Sequence, residues 1–238
     1  MKIGIIETGE VPADLQARHG TYRAMFRRLV GEALPGADTF VHSLLDGSGP
    51  PDPQAADGWV ITGSAHGVYD PVPWIGPFKD FIRRAGEAGV PQVGICFGHQ
   101  IMAEAFGGRV VKSEKGWGCG LHSYEVLRPQ SWMTPGLSRV RIAAMHQDQV
   151  VEVPDAAEVV GGSNFCPFGI LAYPRARAMS FQVHPEFETD YASDLIRIRA
   201  GTRIPHPVAD VGLHSLEHGN DRSAVAQWIG AFLARGGA

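Results

Sequence analysis

Residues 91–108, PQVGICFGHQIMAEAFGG, constrain the fold of this chain more than any other stretch. A short apolar run, QVGI, is followed at once by a cysteine, a glycine and a helix-like segment that closes on Gly107 and Gly108. Such a passage leaves no room for a loop and predicts a strand that turns sharply into a helix, with Cys96 on the turn. Side chains on such turns are exposed, and the helix N-terminus beside them presents backbone N–H groups and a positive partial charge.

The segments before this passage have the same character. KIGIIE predicts a first strand, and Met25, Phe26, Leu29 and Val30 recur at helical spacing within a helix from about Thr21 to Glu32. A strand near residues 39–42, a proline- and aspartate-rich loop over 46–57, the run GWVITGS and a helix over about 74–88 follow. Alternating strands and helices predict an α/β fold, a mainly parallel sheet covered by helices on both faces. From Arg109 to Phe187 several strand candidates occur with few helices: SYEVL, RVRIAAM, AEVVGGS, ILAYP and AMSFQVH. They predict a small antiparallel extension. The last fifty residues read as helical, and the proline-containing RIPHPVAD is too short to separate domains. One domain over 1–238 is expected, with a core over about 1–190 and a helical cover over about 191–238.

Composition removes whole classes of function. Apolar residues make up 44% and charged residues 19%, as in ordinary globular domains. The net charge of −4 comes without a basic stripe, which argues against nucleic acid as a partner. Local pairs such as Arg27 with Arg28 and Arg197 with Arg199 read as solvated helix faces. No segment holds about 18 uninterrupted apolar residues, so no membrane span is expected, and the N-terminus lacks the features of a signal peptide. Three cysteines without CxxC spacing fit a reduced compartment, and a cytoplasmic location is expected. No metal site is expected, from His206, His214 and His218 or elsewhere.

An isolated cysteine at a strand end is more often a small apolar residue than a nucleophile. FQVHPEF changes the balance, because His184 ends a second apolar run with Glu186 two residues later, and strand alternation puts both side chains on one side. His184 could take the thiol proton and return it to a leaving amine, while Glu186 orients the ring.

GICFGHQ followed by HPEF resembles the paired signature of class I glutamine amidotransferases, in the same Cys, His, Glu order. VITGS at 60–64 resembles the strand and glycine-rich loop of that family, and AMHQDQV its substrate-side loop. The resemblance covers about residues 1–190. It implies a flavodoxin-like α/β fold, no cofactor, and cysteine-dependent hydrolysis of a γ-glutamyl amide through a γ-glutamyl thioester. Cys96, His184 and Glu186 would be catalytic. The oxyanion would be held by backbone N–H groups of Phe97 and of Gly63 or Ser64, although the usual Gly-Gly-Pro or Gly-Pro-Gly core of that loop is absent here. Gln100, His146, Gln147 and Asp148 would line the substrate pocket. The partner would be glutamine or another γ-glutamyl small molecule, with a synthase subunit in trans as one arrangement. A γ-glutamyl peptidase acting alone is the alternative, suggested by GWGCGL and MHQDQVVEVP, and a regulatory protein without turnover is a second.

Overall fold

The computed structural model describes residues 1–234. In chain order the strands are β1 (Lys2–Glu7), β2 (Asp38–Ser43), β3 (Gly58–Ile61), β4 (Gln92–Ile95), β5 (Arg109–Lys112), β6 (Gly118–Val126), β7 (Arg139–His146), β8 (Asp148–Glu152), β9 (Glu158–Gly162), β10 (Ile170–Tyr173) and β11 (Ala178–Phe181). The α-helices are α1 (Ala13–His19), α2 (Tyr22–Ala33), α3 (Ile75–Glu87), α4 (Phe97–Ala105), α5 (Thr189–Arg199), α6 (His206–Ser215) and α7 (Arg222–Ala234).

Nine strands form one sheet in the order β2-β1-β3-β4-β11-β10-β9-β6-β7. The five from β2 to β11 are parallel, and the remainder pair antiparallel. The α/β architecture with an antiparallel extension is therefore as expected. β11 joins the two halves, pairing parallel with β4 on one side and antiparallel with β10 on the other. It also ends at Phe181, short of the AMSFQVH run expected from the sequence.

Strand alternation sorts the core into two apolar layers. Ile3, Ile5, Val60, Val93 and Ile95 face one way, toward Met25, Phe26, Leu29 and Val30 of α2 and Trp228 and Ile229 of α7. Ile6, Trp59 and Ile61 face the other, toward Phe78, Phe81 and Ile82 of α3 and Ile101 and Met102 of α4. Each such side chain contributes about 1.5–3 kcal/mol on burial. α2 starts where Thr21 accepts a hydrogen bond from the Ala24 N–H, one residue after the expected N-terminal limit.

Two features had no counterpart in the sequence reading: the seven-residue α1 and a separate two-stranded antiparallel sheet of β5 and β8. RIPHPVAD, the one candidate linker, is no linker, because its last five residues begin α6 with Pro207 in the first turn. No helix among the described residues is long and apolar enough to cross a membrane.

Candidate active site

β4 delivers Cys96 at φ 54° and ψ −99°, and α4 begins at the next residue. Positive φ at a residue with a side chain costs on the order of 1–3 kcal/mol and persists only when its surroundings impose it. Here they do. The Cys96 N–H donates to Phe181 O at 2.8 Å, and its carbonyl accepts from Gln100 N at 3.0 Å. The flanking glycines permit the close packing that holds this turn. A Cβ on Gly94 would lie 2.5 Å from Gly98 O, and one on Gly98 would lie 2.7 Å from Ile61 O.

His184 and Glu186 reach the site by a different route from the one expected. β11 has already ended, and both residues sit on a turn closed by the Phe187 N–H donating to His184 O at 3.3 Å. That turn is pinned on two sides: the His184 N–H donates to Ala143 O of β7 at 2.8 Å, and Arg222 Nε of α7 donates to Pro185 O at 3.0 Å. The His184 ring stacks on Phe187 with centroids 4.0 Å apart and planes 7° from parallel.

His184 Nδ1 lies 2.7 Å from Glu186 Oε1, with both side chains buried. With Nδ1–H donating to the carboxylate, Nε2 is left as the basic nitrogen, and it has no hydrogen-bond partner among the described residues. Burial alone would depress the imidazole's pKa, but the charges on Glu186 and Cys96 together hold it above the ordinary histidine value. Gly63 packs between His184 and Cys96: a Cβ there would lie 3.2 Å from His184 Cε1 and 3.8 Å from Cys96 Cβ. The fold thus gathers the three residues singled out in the sequence around one glycine.

The loop after β3 supplies backbone donors. Its Gly63 and Ser64 N–H groups donate to no acceptor among the described residues, and the Phe97 N–H belongs to the first turn of α4, where no carbonyl lies one turn back. Thr8 fixes the loop from below, its hydroxyl lying 3.0 Å from Thr62 O and 3.2 Å from Gly63 O.

Cys96, Ser64, Gln100, His146, Gln147 and Asp148 line a common cleft of about 500 Å³. Gln100 has a use the sequence did not reveal. Its side-chain amide donates to Asp148 O at 3.0 Å and to Gln182 Oε1 at 3.2 Å, leaving its Oε1 for a ligand. Gln182, fully buried, in turn directs Nε2 at Cys96 Sγ from 3.7 Å. The His146 ring braces the same carbonyl of Asp148 at 3.1 Å, and burial lowers its pKa to about 3, so it is neutral. Burial raises Asp148, while the Tyr69 hydroxyl, donating to Oδ2 from 2.8 Å, pulls the other way.

Sequence reasoning missed Gln182, Tyr69, Arg199 and Arg203. Gln182 was hidden in a run read as strand, and Arg199 was read as part of a solvated helix face, although it lines the cleft with Arg203. Its neighbour Arg197 does fit that reading, exposed and paired with Asp194. The other two cysteines are buried away from the cleft, and burial pushes the Cys119 thiol up to about 11 and that of Cys166 to about 12.

With this geometry in place, comparison with known proteins is decisive for the family. The family model for glutamine amidotransferase class-I matches residues 49–196, more than half of the chain and the part that includes Cys96, His184 and Glu186. The chain belongs to the class I glutamine amidotransferase family. Among curated relatives, gamma-glutamyl peptidase 4 of Arabidopsis thaliana is 29% identical over 207 residues, spanning 84% of this chain and 81% of that protein. The glutamine-hydrolyzing GMP synthase of Lactobacillus delbrueckii subsp. bulgaricus is 31% identical over 145 residues, 60% of this chain but 27% of the synthase. Among solved structures, a glutamine amidotransferase from Thermotoga maritima superposes with a TM-score of 0.75, covering 100% of this chain and 98% of its own at 17% identity, which speaks for the fold.

Proposed function

We propose that this amidotransferase-family chain hydrolyses a γ-glutamyl amide bond with Cys96 as nucleophile. The observation that carries this reading is the meeting of Cys96, which opens into the cleft from its strained turn at the start of α4, with the buried His184–Glu186 pair behind it, packed around Gly63. His184 Nε2 takes the thiol proton and the thiolate adds to the amide carbon. The oxyanion is received by N–H groups of Phe97 and of Gly63 or Ser64. The C–N bond then breaks, the nitrogen takes the proton from His184, and the amine leaves. Water, deprotonated by the same imidazole, attacks the thioester and releases glutamate. Glu186 keeps the imidazole in the required tautomer and stabilises its cationic form.

A γ-glutamyl peptide or conjugate is the favoured donor over glutamine passed to a synthase in trans. This chain aligns with most of the length of gamma-glutamyl peptidase 4 but with only 27% of the GMP synthase. The test is glutamate release by the purified protein from glutamine and from a set of γ-glutamyl dipeptides, with Cys96→Ala as the blank. Faster release from dipeptides is expected. Release unaffected by Cys96→Ala would end the reading. Turnover of nothing, with Cys96 still alkylated by an electrophilic glutamine analogue, would favour an amidotransferase subunit acting with a synthase.

A further inference from the structure

The charges lining the cleft are unevenly matched. Its two carboxylates are engaged: Asp148 accepts from Tyr69, and Asp70 accepts from the Gly67 N–H at 2.9 Å and faces His66 at 3.5 Å. Lys112 lies where its charge acts on Asp148. Arg199 and Arg203 line the same cleft, and neither guanidinium has a hydrogen bond or ion pair to a carboxylate among the described residues. Arg199 is half-buried, and burial lowers its pKa; the neighbouring positive charge of Arg203 lowers it further, while the Tyr22 and Tyr191 hydroxyls act in the opposite sense. Two neighbouring cations repel each other, and an anion set between them turns that repulsion into attraction.

The position of the pair in the chain matters equally. Both residues lie beyond residue 196, where the family match ends, at the C-terminus of α5 and in the turn leading to α6. The turn is rigidly made: Arg199 O receives the N–H groups of Thr202, Arg203 and Ile204 and the Thr202 hydroxyl. Arg203 is exposed and Arg199 is half-buried, so the pair runs inward along one wall. Gln100 and Gln147 line the same cleft beside β8, Gln100 through its bond to Asp148 O, and are available to the glutamyl half of a donor.

We propose that Arg199 and Arg203 form a carboxylate-binding wall that selects γ-glutamyl donors whose leaving amine itself carries a carboxylate, such as a γ-glutamyl amino acid or peptide. This rests on the hydrolytic reading above and adds the identity of the leaving half. Guanidinium suits the role because its planar fork pairs a carboxylate through two parallel hydrogen bonds. Glutamine, whose leaving group is ammonia, offers nothing to this wall.

The test compares γ-glutamylglycine with γ-glutamylglycine amide, which differ only in the carboxylate at issue, using the whole chain as wild type, Arg199→Gln, Arg203→Gln and Arg203→Lys. In the wild type the ratio of kcat/KM for acid over amide should be about 10- to 100-fold, the size of one or two charge-assisted hydrogen bonds. Each glutamine variant should bring that ratio toward one, mainly through KM, and Arg203→Lys should restore part of it. The same pair is titrated into Cys96→Ala protein to read affinity without turnover. An arginine-dependent preference for the acid there, with no hydrolysis in the wild type, would sink the hydrolytic reading and leave the carboxylate wall standing. Equal losses on acid and amide would assign the arginines to the glutamyl half or to the fold and overturn the proposal. No loss on either donor, in rate and in affinity, would overturn it as well.

Discussion

The two halves of the sheet contribute to the cleft by different physical means. The parallel half, β2 to β11, supplies the Cys96 thiol and shapes its surroundings through backbone: a positive φ at Cys96, glycines where strand and helix touch, and N–H groups at the start of α4 and after β3. The antiparallel half and the helices after it contribute through side chains and through clamps made far along the chain, as with Ala143 and Arg222 on the His184 turn. Chemistry built from backbone demands small residues at fixed places. Walls built from side chains place few demands on local sequence, which leaves them free to differ among members of one fold.

Breaking the reacting centre should have the largest effects. Cys96→Ala is expected to lower kcat for glutamate release by about 10⁶-fold with the thermal midpoint retained, since loss of a nucleophile removes the covalent route altogether. Glu186→Gln should lower it by about 10⁴-fold, with smaller changes in KM, because the imidazole loses its enforced tautomer. A mere two- or threefold fall would place Glu186 outside the reaction.

The packing of the parallel half is tested by Gly98→Ala, whose new methyl would meet Ile61 O at 2.7 Å. A loss of about 1–3 kcal/mol in denaturant unfolding is expected. Gly31→Ala, on the exposed face of α2 with nothing within 4 Å of the added Cβ, should instead gain up to about 1 kcal/mol. If the two glycines behave alike, the close approach at the turn is not what Gly98 is for. On the side-chain route, Gln182→Leu should slow alkylation of Cys96 and lower kcat by about tenfold, the scale of one modest hydrogen bond. An unchanged alkylation rate at every pH would show that Gln182 only fills space.

The broadest effect concerns pH. Burial lowers the pKa of His99, on α4, and of His146, on β7, to about 3, far below the ordinary value near 6.5. Both are neutral in the folded chain and protonate in the unfolded one. Their contribution to stability is therefore present above pH 6.5 and lost as pH falls toward 3. Each adds a slope of up to about 1.4 kcal/mol per pH unit over that window. Urea unfolding at pH 7, 6 and 5 should show this decline, and His99→Asn and His146→Asn should each flatten it by a similar amount, one on the helix packed against the parallel half and one within the antiparallel half.

What could be read in advance follows the same division. The passage from β4 through Cys96 into α4 was legible because glycine spacing and apolar periodicity encode it locally. His184 and Glu186 were legible as a pair, but strand alternation was the wrong reason for their meeting. The strand stops at Phe181, and a turn held by β7 and α7 presents them. Arg199 differs from Arg197 by helical phase, since it extends the buried stripe of Tyr191, Ala192, Leu195 and Ile196 while Arg197 points away from it; reading the two as one solvated pair ignored that phase. Gln182 and Gln100 are separated by 82 positions, a pairing that no local pattern encodes.

The hydrogen bond from Arg222 to Pro185 has a temporal side. A ribosome delivers the thiol long before it delivers the arginine that steadies the turn bearing its base. During synthesis the nucleophile therefore exists for a while before the turn that carries its base has both of its supports. A chain halted before α7 would carry the cysteine and the Ala143 support, but lack the second clamp on the turn that bears His184.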